Sequence, residues 1–96
     1  MSAFLVADIQ INDRETYEEY AAKAKPIVEQ YGGKYIVSTE KVVPLGMEWR
    51  PRKILIIEFE SSDRIGEMFR SPEYMEIAPL REKSSVSRSV IAQKVD

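Results

Sequence analysis

A Trp-Arg-Pro trio in the stretch "LGMEWRPRK" (45–53) holds the residues best suited to bind a ligand. Trp49 is the only tryptophan of the chain, and Arg50 follows it directly. A Trp offers a large apolar ring and one N–H donor, while an Arg can stack on that ring or hold a carboxylate through two parallel hydrogen bonds. Pro51 biases Arg50 to an extended backbone. The trio predicts either an anion site or a packing anchor that pins a loop to the sheet. We expect Trp49 to be mostly buried and Arg50 to be directed toward a carboxylate.

A second candidate pair, Tyr74 and Arg81, lies seven residues apart in a predicted helix. That spacing is about two helical turns, so both side chains share one helix face. From that face a phenol and a cation could address an anionic ligand. Pro79 stands between them and is expected to weaken or end the helix. The alternative interpretation is a core Tyr and a surface or interface Arg.

Two carboxylates, Asp8 and Glu58, interrupt otherwise apolar strand patterns. If their strands are antiparallel neighbours, both carboxylates lie on the same side of the sheet. A buried carboxylate without a partner costs several kcal/mol, so each requires a cation nearby. The two residues predict either an interface ion pair or the polar lining of a ligand pocket. The candidate partners are Arg50, Arg52, Arg81 and Arg88.

The composition excludes several kinds of chemistry. The chain has no Cys and no His, so disulfides, thiolate sites and imidazole ligands are ruled out, and no metal or other cofactor is expected. Fourteen basic and sixteen acidic residues give a net charge of -2 without a long run of one sign, which argues against nucleic acid as a partner. No stretch is long and apolar enough to span a membrane, so we expect a soluble, cytoplasmic protein.

The 96 residues predict a single domain, 1–96, of the α+β class. Apolar alternation and helical spacing give the order β-α-β-β-α-β, which is typical of a ferredoxin-like fold with a four-stranded antiparallel sheet and its helices on one face. The first helix is expected to be capped by Asn12 or Asp13 and to end at Gly32 or Gly33. Helical structure is also expected after Ser61 or Ser62, with a restart at Ser71. Strands are expected at 3–11, 34–38, 53–59 and 85–95, with a further short strand considered at 41–43.

The third strand indicates that the protein associates with itself. It is apolar on both faces, with Leu55, Ile57 and Phe59 on one side and Ile54 and Ile56 on the other. The first strand adds two more large apolar residues to this second side, which the helices cannot cover. A surface of this size is unusual on a monomer. We therefore expect a homodimer through the face that carries Phe4, Val6, Ile54 and Ile56.

Several sequence pieces occur in a characteristic order along nearly the whole chain. They are "YEEY", "YGGK", "WRP" before "ILIIEFES", "SPEYMEIAPLR" and a late "SR". With these pieces the chain resembles the small bacterial proteins of domain-of-unknown-function family 1330. The resemblance implies a dimeric α/β barrel of two ferredoxin-like subunits and no known catalytic residues. The chain departs from the family at "STEK", where relatives have a glycine-rich turn, and at Leu45, where they have an acidic residue.

Three functions stay open on this basis. The first is a homodimer that binds a small apolar or aromatic carboxylate in a pocket near the sheet and the 39–52 loop. The second is a cofactor-independent oxygenase or isomerase, for which superfamily relatives use Trp, Tyr, Asn, His and Arg. This chain has no His and only one Asn, Asn12 at a helix cap. The third is a structural or interaction protein without a small ligand.

Overall fold

The computed structural model describes residues 2–46 and 48–95. The strands form one antiparallel sheet in the order β2-β3-β1-β4, which confirms the predicted ferredoxin-like arrangement. The helical region after β3 is divided into two helices, so the full order is β-α-β-β-α-α-β. The elements are β1 Ala3–Ile11, α1 Arg14–Gln30, β2 Lys34–Thr39, β3 Lys53–Phe59, α2 Ser62–Arg70, α3 Pro72–Ser84 and β4 Ser85–Gln93.

Alternation along β1 and β3 decides which side of the sheet the helices cover. Side chains of a strand point to opposite faces in turn, and every second residue of β1 from Ala3 to Ile9 is buried. On β3, Ile57 and Phe59 are buried on the same face, because Leu5 pairs with Ile57 and Ala3 with Phe59. The largest cluster of this core contains Ala3, Leu5, Val28, Ile57, Phe59, Ile65 and Met68.

The opposite side of the sheet has no helix packed on it, and we call it the open face. It contains the alternate residues of the same strands, which the register of β1 with β3 and β4 places together. In the single chain Val86 is 61% exposed and Val90 is 62% exposed. The side chains of the open face are Phe4, Val6, Asp8, Gln10, Ile54, Ile56, Glu58, Val86, Arg88 and Val90.

Short polar side chains begin all three helices. Asp13 accepts a hydrogen bond from the N–H of Thr16 and caps α1, and Ser61 caps α2 in the same way. Ser71 closes α2 and opens α3, because its hydroxyl donates to the carbonyl of Met68 at 2.7 Å and accepts from the N–H of Tyr74 at 3.2 Å. The expected restart of the helix at Ser71 is therefore confirmed.

The expectation that Pro79 weakens or ends its helix is wrong, because α3 continues through it to Ser84. A proline leaves the carbonyl four residues earlier without its helical hydrogen bond. Here that carbonyl belongs to Met75, whose side chain is 62% exposed, so water can satisfy it. Pro26 lies on the solvent side of α1 in the same manner, and that helix also continues past it.

Three strand assignments differ from those expected, and the first is β2, which extends to Thr39, one residue beyond the expected 34–38. No strand forms at 41–43, because the last pair between β2 and β3 is Thr39 with Ile54, so these residues have no partner strand. The strand β4 ends at Gln93, two residues earlier than expected. No helix in the described residues is both long enough and apolar enough to cross a membrane.

Two glycines after α1 serve different purposes. Gly32 has a φ of +83°, the left-handed conformation that commonly follows a helix, and its N–H donates to the carbonyl of Glu29. Gly33 permits a close approach, since a Cβ there would lie 2.5 Å from Val28 Cγ1 and 2.9 Å from the ring of Phe59. The helix therefore ends just before Gly32, close to the predicted position, and its C-cap residue is Tyr31 rather than a glycine.

We expect Gly33→Ala to lower the free energy of unfolding by about 1–3 kcal/mol, because the added methyl group collides with a fully buried Phe59 ring. For a domain of this size that is a loss of several degrees in Tm, measurable by thermal unfolding. Gly46→Ala is the matched control, since no atom lies within 4 Å of a Cβ built there. Equal Tm values for the two variants would contradict the close-packing argument.

Candidate functional site

A cavity of about 90 Å³ lies between the helix-covered face of the sheet and helices α1 and α3. Most of its wall is apolar and is supplied by β1, β3, α1 and the Phe69 region of α2. Polar side chains reach it from the sheet, from α1 and from α3. The polar and aromatic residues that line it are Tyr17, Tyr20, Tyr35, Ser38, Lys53, Tyr74, Arg81, Ser85, Ser87 and Ser89.

The predicted pair Tyr74 and Arg81 does line this cavity together, because α3 is unbroken between them. The end of α3 is held in place by the carbonyl of Ser84, which accepts hydrogen bonds from the N–H groups of Asn12 and Asp13 at 2.8 and 3.1 Å. The Arg81 Nε atom is buried and has no hydrogen-bond partner among the described residues. The distance from its guanidinium to the carboxylate of Glu82 is 4.0 Å, which is long for an ion pair.

The phenols of Tyr17, Tyr20 and Tyr35 in the cavity are held in their neutral form. The hydroxyl oxygens of Tyr20 and Tyr74 lie 2.8 Å apart and share a hydrogen bond. Burial raises the pKa of Tyr20 strongly, and the neighbouring Tyr74 raises it further. Burial also raises the pKa of Tyr17 and brings the pKa of Tyr35 to about 12. These hydroxyls are therefore hydrogen-bond donors at neutral pH and resist acting as bases.

Lys53, the first residue of β3, brings a second cation to the cavity. Its Nζ lies 5.3 Å from the centre of the Tyr17 ring, within the range of a cation–π contact. The segment that precedes it, 40–52, is tied to α1 at its start, where Arg14 forms two hydrogen bonds to the carboxylate of Glu40 at 3.1 and 2.7 Å. The cavity therefore has Lys53 on its sheet wall and Arg81 on its helix wall.

A separate polar cluster lies on the open face, on the other side of the sheet. The Oδ2 atom of Asp8 accepts hydrogen bonds from Trp49 Nε1 at 2.8 Å and from the guanidinium of Arg88 at 3.0 Å. Arg88 reaches Asp8 because the two residues are paired across β1 and β4. Trp49 and Arg50 line a groove beside this cluster. The loop 40–52 thus begins beside the cavity and carries its Trp to the opposite face.

The six predicted site residues therefore fall into separate places. Tyr74 and Arg81 lie at the cavity, while Asp8, Trp49 and Arg50 lie together on the open face. Glu58 is on the open face too, but at the far end of the β1–β3 pair, where it contacts Lys94 at 3.5 Å.

Two expectations about the Trp-Arg-Pro trio are wrong for the single chain. Trp49 was expected to be mostly buried but is 57% exposed, because only its ring nitrogen is fixed, by Asp8, and no helix covers the open face. Arg50 was expected to pair with a carboxylate, yet Arg88 is the residue that pairs with Asp8. The pairing of β1 with β4 places Arg88 opposite Asp8, whereas Arg50 lies in the loop 40–52.

Sequence reasoning missed Lys53 and the role of the Tyr20 hydroxyl. A stripe of tyrosines at helical spacing is typical of a core, and no local pattern indicates that Tyr20 meets Tyr74 fifty-four residues later. For Lys53 a weak signal exists, since it is a lone cation at the start of an otherwise apolar strand. Within residues 2–46 and 48–95 no three His, Cys, Asp or Glu side chains are placed to hold a metal ion.

Comparison with known proteins places the chain among ferredoxin-like folds. The family described as "Domain of unknown function (DUF1330)" matches residues 2–95, and no curated protein sequence matches. A protein of unknown function from Rhodopseudomonas palustris has a TM-score of 0.82 at 20% identity, over 99% of this chain and 83% of that one. SnoaB from Streptomyces nogalater, a cofactor-independent oxygenase, has a TM-score of 0.72 at 11% identity, over 99% of this chain and 94% of that one.

A dabb family protein with a ferredoxin-like fold, from Mesorhizobium loti, gives a TM-score of 0.65 at 7% identity, over 99% of this chain and 98% of that one. At such identities the likeness confirms the fold and carries no information about the residues of the cavity. The chemistry of the cavity must therefore be argued from this chain's own side chains.

The buried phenols predict a loss of stability in alkali. Below pH 10, the ordinary tyrosine pKa, these tyrosines are protonated in both the folded and the unfolded chain, so their burial contributes its full share to the free energy of unfolding. Above it the unfolded chain loses these protons first, so the free energy of unfolding falls as pH rises toward the folded pKa of Tyr35, about 12. We expect the double variant Tyr20→Phe/Tyr35→Phe to flatten this fall, measured by urea unfolding at neutral and alkaline pH. An unchanged slope would show that other groups cause it.

Proposed function

The chain belongs to the DUF1330 family, a domain of unknown function, and on this premise we propose that it is a homodimer that binds a small apolar or aromatic carboxylate. The ligand occupies the cavity between the sheet and the helices, beside the start of the 39–52 loop. The observation that carries the proposal is the buried Nε of Arg81, which lacks a hydrogen-bond partner among the described residues although Arg81 lines an apolar cavity.

A carboxylate would accept a hydrogen bond from the buried Arg81 side chain of this cavity. A buried donor on a charged group is costly without an acceptor, and a hydrogen bond between charged groups contributes about 1.5–3 kcal/mol. Both Arg81 and Lys53 reach the cavity, and its described lining contains no Asp or Glu to neutralise them. The mainly apolar walls favour a hydrocarbon body behind the carboxylate.

The same lining favours binding over catalysis. Its described residues include no His, Asp or Glu, the commonest general bases of enzymes, so its serines have no such neighbour to activate them. The raised pKa of Tyr20 keeps that phenol protonated at neutral pH, so it is a donor rather than a base. A cofactor-independent oxygenase or isomerase would require a group that removes a proton from its substrate.

The proposed dimer forms through the open face. Side chains such as Val6, Ile54, Ile56 and Val90 form an apolar surface there, and each contributes roughly 1.5–3 kcal/mol when it is fully buried. A second copy that packs on this face would cover them without any change in the core. It would also cover the Trp49 ring, whose N–H is already oriented by Asp8.

We expect Val90→Lys to convert the dimer into folded monomers, because a charge at the centre of the interface would be desolvated there. Val90 is 62% exposed in the single chain, so the change leaves the monomer core intact. Met75→Lys is the matched control, since Met75 is also 62% exposed but lies on α3. Sedimentation velocity measures the state, and circular dichroism measures the fold. A wild-type chain that sediments as a folded monomer at micromolar concentration would overturn this part of the proposal.

We expect Arg81→Met to weaken the binding of hexanoate and benzoate by about tenfold or more, because the charged hydrogen bonds to the carboxylate are lost. Isothermal titration calorimetry measures the Kd. Arg88→Met is the control, since it removes the same charge from the open face. If the Arg88 variant loses binding while the Arg81 variant retains it, the ligand lies on the open face and the cavity proposal is wrong.

A further inference from the structure

The paired hydroxyls of Tyr20 and Tyr74 provide a second polar point in the cavity, supplied by two different helices. Each phenol carries one hydrogen, and the 2.8 Å contact between the two oxygens uses only one of them. Neither hydroxyl makes another hydrogen bond within the described part of the chain. One O–H group of the pair is therefore available to a molecule in the cavity, whichever tyrosine donates to the other.

This available group is a donor and not an acceptor of a proton. Burial and the neighbouring phenol raise the pKa of Tyr20, so its hydrogen stays in place at neutral pH. The rings are fixed, since Tyr74 is 4% exposed and packs edge-on against Phe69 at 4.9 Å between ring centres. A donor held by rigid aromatic rings selects an oxygen acceptor on a ligand, because a hydrocarbon in its place leaves the hydroxyl unpaired.

The cations and the hydroxyl pair make distinct demands on the ligand. Arg81 and Lys53 favour a negative charge. The tyrosine pair favours a second oxygen acceptor, because Tyr74 lies two helical turns, about 10 Å, from Arg81 along α3. The cavity volume of about 90 Å³ restricts the ligand to a small molecule. A short aliphatic acid with a carbonyl group on its chain meets all three conditions.

We propose that the cavity binds short aliphatic oxo acids, with the carboxylate held by Arg81 and Lys53 and the ketone oxygen accepting a hydrogen bond from the Tyr20–Tyr74 pair. This inference rests on the proposed function, because it assumes that a carboxylate enters the cavity, and it adds the second group that the ligand must carry. The tyrosines then determine specificity, while the cations determine affinity for acids in general.

The test compares matched acids on matched proteins by isothermal titration calorimetry. The probes are 5-oxohexanoate against hexanoate and 4-oxopentanoate against pentanoate, which differ only in the ketone. We expect the wild-type chain to bind at least one oxo acid about five- to tenfold more tightly than its alkanoate, and the double variant Tyr20→Phe/Tyr74→Phe to lose that preference. Each single variant leaves one hydroxyl with its own hydrogen, so it is expected to keep part of the preference.

The double variant also serves as its own folding control. Two facing hydroxyls are removed together without a change in ring shape, which is nearly neutral for stability, so its Tm should stay close to that of wild type. Equal binding of oxo acids and alkanoates by the wild-type chain, with Arg81 still required, overturns this inference and leaves the proposed function standing. If no acid binds the wild-type chain at millimolar concentration, both are wrong.

Discussion

Helices α1, α2 and α3 cover only one face of the four-stranded sheet, although β1 and β3 carry apolar side chains on both. The helix-covered face uses Leu5, Ile57 and Phe59 to form the core, and no single one of these can be exposed without loss of the fold. The open face uses Val6 and Ile56, which contribute nothing comparable until something covers them. The core and the proposed self-association surface are therefore made by alternate residues of the same strands.

The cavity lies beside β4, which has polar side chains where β1 and β3 have apolar ones. At the positions that face the helices it carries Ser85, Ser87 and Ser89, which pair with Ile11, Ile9 and Ala7 of β1. Small polar side chains at these positions leave space that Leu or Ile would fill, and α3 then contributes Arg81 and Tyr74 to that space. Val86 and Val90 of β4 lie instead on the open face, while Ile91 pairs with Leu5 on the helix-covered side. The first part of β4, 85–90, is therefore polar toward the helices and carries two apolar residues on its other side, which suits the proposed ligand cavity and the proposed interface.

The order of elements and the faces of β1 and β3 could be predicted from sequence, since both follow from short periodic patterns. The placement of Tyr74 and Arg81 on one side of α3 could also be predicted, because both lie on one helix. Contacts between distant segments could not be predicted from sequence. The effect of Pro79 was misjudged because its consequence depends on whether the freed carbonyl of Met75 meets water, which only the packing of α3 decides. The burial of Trp49 was misjudged because an aromatic ring on a loop can dock only where a surface is offered to it.

The loop between β2 and β3 contacts both faces of the sheet. It leaves β2 next to the cavity, where Arg14 holds Glu40, passes to the open face, where Trp49 binds Asp8, and returns to the cavity at Lys53. Asp8 lies between Ala7 and Ile9, which both line the cavity, so the two polar sites are back to back across a single strand. Side chains of a strand cannot reach through the sheet, so direct contact between the sites is excluded. This loop, with Lys53 at its end, therefore provides a route by which self-association through the open face would affect ligand binding in the cavity.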